Sequence, residues 1–452
     1  EKSDPRDLSR TEHWYFHWSG RRICAGRSGK GDKDGNAADY SWTQNSADRD
    51  GRNDYFVCSH VSIGGRITLE AYLDNSATTR CYQSVCDIVM KTMLEDYGNP
   101  SAMHQKGVEA EKYLRDTQEI LGKILKVKPK EIFFTSGGTE SNNLALIGTA
   151  MANQRTGKHV ITTAIEHAAV AAPVHHLEEL GFEVTVLPVD TQGVVRMDVL
   201  REALREDTIL VSVMYVNNEI GSVQPVEEIA SLVHEKSPRA VFHVDAIQAF
   251  GKYKIHPRKQ GIDLLSVSSH KFHGPKGVGF LYVSEKVKIQ PQILGGGQQG
   301  GMRSGIDNVP GIAGMGVAAR EVYDHLDENV EKMYELKQHL MGGLGQMERV
   351  VLNGMPCMEG APHIVSASFL GVRSEVLLHA LEERQIYVSA GSACSTHKRS
   401  ASSTLTAVGM GKEQLETTLR FSFCDTTTME EIDYCLDNLR ELLPMLRRYS
   451  RK

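Results

Sequence analysis

From about residue 130 to 283 the chain alternates short apolar runs with stretches of helical spacing, and few architectures accept that alternation. The runs are Glu131–Thr135, His159–Thr163, Glu183–Leu187, Ile209–Met214, Ala240–Val244, Asp263–Ser268 and Val278–Val283. Helical patterns such as Leu177–Leu180 and Val226–His234 fall between most of them. Short apolar runs bounded by turn residues predict strands buried on both faces. Their alternation with helices predicts an α/β fold with a mostly parallel, seven-stranded sheet covered on both sides. Right-handed crossovers then bring the strand C-termini to one edge of the sheet, where ligands bind.

A helical pattern from about Gly316 to Met347 leads into a smaller α+β unit. It contains Ile364–Phe369, a helix over Ser374–Arg384, Tyr387–Val388, Leu419–Phe423 and a terminal helix over Met429–Arg448. Residues 1–68 differ from everything after them. They are rich in Gly, Asp, Arg, Ser and Asn with little periodicity, which predicts disorder. The acids among them argue against a mitochondrial presequence, and no apolar run near the start suits a secretory signal. They are expected to be a non-native extension, with Leu69 as an alternative start.

Composition narrows the function classes. A net charge of -6 over 452 residues gives no footprint for nucleic acid or a membrane surface. No apolar stretch approaches the length that spans a bilayer. The eight cysteines are scattered without a CxxC pair, and the 18 histidines show no paired metal spacing. That reads as a reducing, cytoplasmic compartment with free thiols and no metal site. Cys81, Cys86, Cys357, Cys424 and Cys435 are expected to be structural or incidental.

The residues just beyond the runs carry the chemistry. Lys271 follows the run Leu264–Val267, and Asp245 ends the run before it. A lysine and an aspartate at neighbouring strand exits suit pyridoxal phosphate: the amine holds the cofactor as a Schiff base, and the carboxylate keeps the pyridine nitrogen protonated. Alone, Lys271 would read as a surface lysine. Thr135–Asn143 follows a strand, opens a helix and contains Gly137-Gly138, which suits an anion cradle or an ordinary capped turn. His167 at another exit suits ring stacking and proton movement, or a structural role. Asn218 and Gln248 are neutral hydrogen-bonding groups at further exits, or turn residues. Arg420 has the fork that grips a carboxylate, or forms a surface ion pair. Cys394 sits in Gly391-Ser392-Ala393-Cys394-Ser395, a small and polar setting that suggests a reactive thiol, with His397, Lys398 and Arg399 favouring the thiolate.

Taken together these stretches, with Leu73–Thr79, Tyr97–Ser101 and Gly295–Gly305, resemble cysteine desulfurases of the NifS/IscS type, on the pyridoxal-phosphate fold of aspartate aminotransferase. The resemblance covers residues 70–448. It implies that Lys271 carries the cofactor, that Asp245 faces the pyridine nitrogen and that Gln248 and Asn218 flank the ring. It implies that Gly138, Thr139, Ser268 and His270 hold the phosphate, that His167 stacks and relays protons, that Arg420 grips the cysteine carboxylate and that Cys394 takes the sulfur. The implied reaction converts L-cysteine to L-alanine and leaves an enzyme persulfide. The implied partners are a second copy of the chain and a protein sulfur acceptor, either an iron–sulfur scaffold or a tRNA-thiolation enzyme. The implied units are an arm at 69–82, a large cofactor-binding domain at 83–320 and a small domain carrying the cysteine loop at 321–452.

Two departures accompany the resemblance. Ile306 follows Arg303-Ser304-Gly305 where the family often has a threonine that reaches the partner's phosphate. The sequence also ends at Lys452 without the family's scaffold-docking extension, which favours a different acceptor. A selenocysteine lyase or another aminotransferase-fold enzyme is the competing reading; neither needs Cys394.

Overall fold

The computed structural model describes residues 66–390 and 402–449, with short strand pieces at 39–40, 43–44, 56–57 and 60–63. In the segment without periodicity, β4 (His60–Ile63) pairs with β1 (Asp39–Tyr40) and β5 (Arg66–Leu69), and β2 (Thr43–Gln44) pairs with β3 (Phe56–Val57), all antiparallel. The rest of residues 1–68 lies outside the described residues.

β6 (Ala71–Tyr72), α1 (Gln83–Leu94) and α2 (Gln105–Leu125) come next. The alternation then runs β7 (Ile132–Thr135), α3 (Gly138–Asn153), β8 (His159–Thr163), α4 (Ala168–Glu179), β9 (Glu183–Leu187), α5 (Met197–Ala203), β10 (Thr208–Met214), α6 (Val226–Lys236), β11 (Val241–Asp245), α7 (Pro257–Gln260), β12 (Leu264–Ser268) and β13 (Gly279–Val283). These seven strands form one sheet in the order β7-β13-β12-β11-β10-β8-β9. Only β13 runs against its neighbours. Thr135, Thr163, Met214, Asp245 and Ser268 therefore end their strands at one edge.

The apolar runs are strands because both faces of the sheet are covered. Successive residues serve opposite faces: Val241 packs into one core and Phe242 into the other, as do Leu264 and Leu265. At roughly 25 cal/mol per Å² of apolar surface, such burial is the main force holding the sheet between its helices. The parallel register Met214↔Asp245 aligns the ends of β10 and β11, and Asp245↔Ser266 leaves β12 two residues longer at that edge.

The long helical pattern resolves into α8 (Val309–Asp324) and α9 (Leu326–Gly345), not one helix. His325, at φ -118 and ψ 19, breaks it, and Asp327 and Glu328 open the second helix where acids favour the N-terminal dipole. A four-stranded antiparallel sheet follows, in the order β14 (Val350–Asn353), β15 (Ile364–Phe369), β18 (Thr418–Ser422) and β17 (Ser389–Ala390). The single run expected at Tyr387–Val388 divides into β16 (Ile386–Tyr387) and β17, with Val388 between them. α10 (Ser374–Glu382), α11 (Ser403–Ala407), α12 (Lys412–Thr417) and α13 (Met429–Tyr449) complete the unit. Its core joins Leu336 and Leu340 of α9, Phe369, Leu377, Phe421 and Leu439.

The arm after β6 links the two sheets. β6 pairs in parallel with β16, and Asp74 bridges to Ser422 at the end of β18. A few residues on, the Thr79 N–H donates to the His270 carbonyl beyond β12 (2.9 Å). Among the described residues no helix is long and apolar enough to cross a membrane.

Candidate active site

β12 ends at Ser268 and turns at once into a short 3₁₀ segment, Ser269–Lys271. The turn aims the Lys271 amine back along the sheet edge, where Nζ donates to the carbonyls of Ser76 (2.5 Å) and Ala77 (2.8 Å) in the arm. Burial pushes its pKa down to about 8; the Arg420 and Lys252 cations push the same way, against Asp74 and Asp245. A partly desolvated lysine of this kind supplies a neutral amine near physiological pH. Lys252, itself buried, donates to the Lys271 carbonyl (2.5 Å) and fixes the turn from below.

Asp245 ends β11 and is 4 % exposed. Its carboxylate accepts from Asn142 Nδ2 (2.8 Å) and from the Ile247 N–H (3.0 Å). Burial raises its pKa, while those two donors and the neighbouring His167 and Lys271 lower it. A buried carboxylate in this setting is best satisfied by a cationic N–H, as a pyridinium provides. Asn142 lies inside α3 and was absent from the expected site; a polar residue in an apolar helix face facing the Asp245 strand is the signal that could have found it.

His167 caps α4, its Nδ1 accepting the Ala169 N–H (3.1 Å). The neutral ring therefore carries its proton on Nε2. The residue is open to the cleft, yet the walls still desolvate it: burial lowers its pKa, with Asp245 raising and Lys271 lowering it. Glu166 beside it is buried, accepts from Thr163 Oγ1 (2.7 Å) and the Met214 N–H (2.9 Å), and leaves Oε2 without a partner. Burial first, and the Asp245 charge in addition, push it up to about 8, so it holds a proton at neutral pH.

The anion cradle is built on glycine. Gly137 has φ 142 and opens α3; a Cβ on Gly138 would stand 2.2 Å from Ile247 Cδ1, and one on Gly279 would stand 2.5 Å from the Val267 carbonyl. Only bare backbone lets the α3 N-terminus and β13 approach this closely. The resulting cleft, about 560 Å³, is lined by Ala77, Thr78, Gly138, Thr139, Ser268, His270, Lys276 and others. His270 Nδ1 lies 3.3 Å from Thr78 Oγ1; burial, then the Lys271, Lys276 and Lys252 cations, take its pKa to about 4, so the ring stays neutral. Glu140, one turn into α3, accepts from the Ser136 N–H (2.8 Å) and pairs with Arg303 (2.8 Å). Ile306 is 65 % exposed.

Gln248 is held by the Ser76 carbonyl (3.0 Å) and by His363 Nε2 (3.2 Å). Arg420 in β18 donates to the Asn218 carbonyl and to Asp74 (both 2.8 Å), and its Nε is buried without a partner. Its guanidinium thus joins the second sheet to the mouth of the cleft, where a small cavity also meets Asn218, Glu219, Ser389 and Ala390. Cys394 lies outside the described residues. The flanks of its segment are β17 and Ser402, whose hydroxyl donates to Glu219 (2.5 Å) next to Asn218.

These groups fit pyridoxal phosphate. A glycine-walled helix N-terminus takes the phosphate, a depressed amine stands at its mouth, and a buried carboxylate waits on an adjacent strand.

Cys424, expected to be incidental, is not isolated. Its sulfur, His273 and Asp425 lie within 4.8 Å of one another just behind the Lys271 turn. No sequence spacing could show this, because His273 and Cys424 belong to different sheets.

Residues 71–435 match the family described as aminotransferase class-V. The cysteine desulfurase IscS of Dictyoglomus turgidum is 41 % identical over 382 residues, which is 84 % of this chain and 96 % of that one. The IscS of Methanosarcina thermophila is 41 % identical over 394 residues, covering 86 % and 97 %. A solved NifS-like protein superposes with a TM-score of 0.79 at 38 % identity, over 84 % of this chain and all of that one. The chain belongs to the class-V aminotransferase family, in its cysteine desulfurase branch.

Proposed function

We propose that the protein is a pyridoxal-phosphate-dependent cysteine desulfurase that moves the sulfur of L-cysteine onto its own Cys394. The observation that carries this reading is the meeting of the Lys271 amine and the Asp245 carboxylate at neighbouring strand exits, beside a glycine-walled cradle and below Arg420. When bound, pyridoxal phosphate supplies an electron sink for charge developing next to the substrate amine. The chain's own groups do the rest. Gly138, Thr139, Ser268 and His270 fix the phosphate. Asp245, oriented by Asn142, holds a proton on the ring nitrogen, and Gln248 and Asn218 flank the ring. Arg420 turns its fork from Asp74 to the substrate carboxylate, a charge-assisted contact worth about 1.5–3 kcal/mol. His167 stacks and donates from Nε2. The Cys394 thiolate attacks the substrate sulfur; the carbon–sulfur bond breaks, a sulfur–sulfur bond forms, and the carbon takes a proton to give alanine.

The break at His325 and the separate cores favour a large domain at 83–320 and a small one at 321–452, with the arm at 69–82 serving both. Met90, Met93, Leu94 and Tyr97 on and after α1 are all more than half exposed, and an apolar patch of that kind suits a homodimer face. The persulfide passes to a protein acceptor of iron–sulfur assembly or tRNA thiolation in the cytoplasm.

The test is alanine and persulfide formation from cysteine. Cys394→Ala keeps the cofactor absorbance and loses both products; Lys271→Ala loses the absorbance. Full sulfide release by Cys394→Ala would sink the reading.

A further inference from the structure

We propose that His273, Cys424 and Asp425 form a binding site for one zinc ion, behind the Lys271 turn and across the two sheets. Among the described residues, no other trio of His, Cys, Asp and Glu brings its ligand atoms so close; here all lie within 4.8 Å. The outer contacts are those of a metal centre. His273 Nδ1 is engaged by the Arg80 carbonyl (2.8 Å), so the imidazole donates its proton there and turns the Nε2 lone pair toward Cys424 and Asp425. The ring is clamped against Tyr82, with centroids 4.3 Å apart and planes 12° from parallel. The Tyr82 hydroxyl donates to Asp425 Oδ2 (2.7 Å) and leaves Oδ1 toward the site. Oδ1 stands 2.8 Å from Nε2, yet it satisfies no hydrogen-bond geometry. An ion pair holds the two atoms at that distance, and a bound cation would replace it as the pair opens to the roughly 3.3 Å expected of two ligands on a tetrahedral ion. His273 is also held at φ 66, a left-handed conformation unusual for a non-glycine residue.

The chemistry selects the ion. A thiolate, an imidazole and a carboxylate are zinc's ligand types, and the two anions balance its charge. Cys424 Sγ takes a further contact from Thr426 Oγ1 (3.1 Å). Entry is from the Asp425 side, where 18 % of the side chain is exposed against 7 % for His273. Water completes the fourth position. Because His273 follows β12 and Cys424 and Asp425 follow β18, the ion ties the Lys271 turn to the second sheet.

The test uses the holoenzyme, dialysed against a chelator and titrated with zinc sulfate. Metal per chain is measured by plasma mass spectrometry after gel filtration, and affinity by competition with a chromophoric chelator. One zinc per chain is expected in the wild type and in Cys394→Ala. Cys424→Ser should weaken binding at least 100-fold. Tyr82→Phe keeps every ligand and the ring stack, and should weaken it about 10-fold through the lost contact to Asp425. Cobalt substituted for zinc should show the visible bands of a tetrahedral thiolate site, absent in Cys424→Ser. A wild type that retains no zinc overturns the proposal, and so does zinc binding untouched by Cys424→Ser and Tyr82→Phe or lost in Cys394→Ala.

Discussion

Replacing Asn142 by leucine isolates how much of turnover depends on the orientation of Asp245. Asn142 is fully buried, and its one side-chain contact is the 2.8 Å donation to Asp245 Oδ2; its own Oδ1 has no partner. Leucine is close in shape, so the packing cost is small, and it removes the donor that satisfies the buried Asp245 Oδ2. A hydrogen bond to a charged group is worth about 1.5–3 kcal/mol, and about 1.4 kcal/mol is tenfold in rate. Turnover should therefore fall about 10- to 150-fold. KM for cysteine should hold, because Asn142 bonds Asp245 and makes no hydrogen bond to Arg420. Cofactor content should also hold, since the cradle is made by backbone at the α3 start. The assay is steady-state alanine production, with cofactor absorbance and melting temperature as controls. Turnover within about twofold of wild type would refute the idea that this amide orients the carboxylate. A loss of cofactor instead of turnover would refute it equally.

The remaining predictions concern protons and charge. Lys271 has a folded pKa of about 8, below that of a free lysine, so the rate at which the apoenzyme takes up pyridoxal phosphate should climb with pH and level off above about 9. A rate still rising toward pH 10.5 would show an ordinary, solvated amine. Glu166 has the opposite sense: its folded pKa of about 8 lies above the unfolded value, so the native state binds the extra proton and stability falls as pH rises from about 4.5 to 8. Glu166→Gln should flatten that decline, with a melting temperature above wild type at pH 8; a difference from wild type that does not vary with pH contradicts the assignment. Arg420→Lys should raise KM for cysteine about 10- to 100-fold, because an ammonium cannot supply the fork. An unchanged KM would place the carboxylate elsewhere.

Most of the fold is legible in the sequence because the large sheet is buried on both faces. Most of its strands are rich in buried apolar residues, the edge strand β9 being the half-exposed exception, and Phe242 and Val241 need no partner information to be read as core. The break at His325 is not legible from periodicity, since apolar residues continue through it on both sides; the acids at 327 and 328 are the faint mark of a new helix. At the site, Lys271, Asp245 and His167 announce themselves by following apolar runs. Their partners do not. The carbonyls of Ser76 and Ala77 are backbone atoms, without chemical identity in the sequence, and they reach Lys271 from the far end of the chain. Cys424 looks ordinary in Phe423-Cys424-Asp425 because its neighbour His273 arrives from another sheet.

The arm that runs from β6 past Ser76 to Thr79 bears on how the enzyme comes to life during synthesis. Its strand partner, β16, and its bridge partner, Ser422, emerge from the ribosome late, long after the large sheet. Until they do, β6 and Asp74 lack their partners, and the segment is held by the contacts of Ser76 and Thr79 with Gln248 and His270. The Arg420 guanidinium, which joins the second sheet to the cleft, is also missing from such a nascent chain. A ribosome-held fragment that already contains every strand of the large sheet should remain chemically silent, and competence should appear abruptly when β18 and the final helix are released.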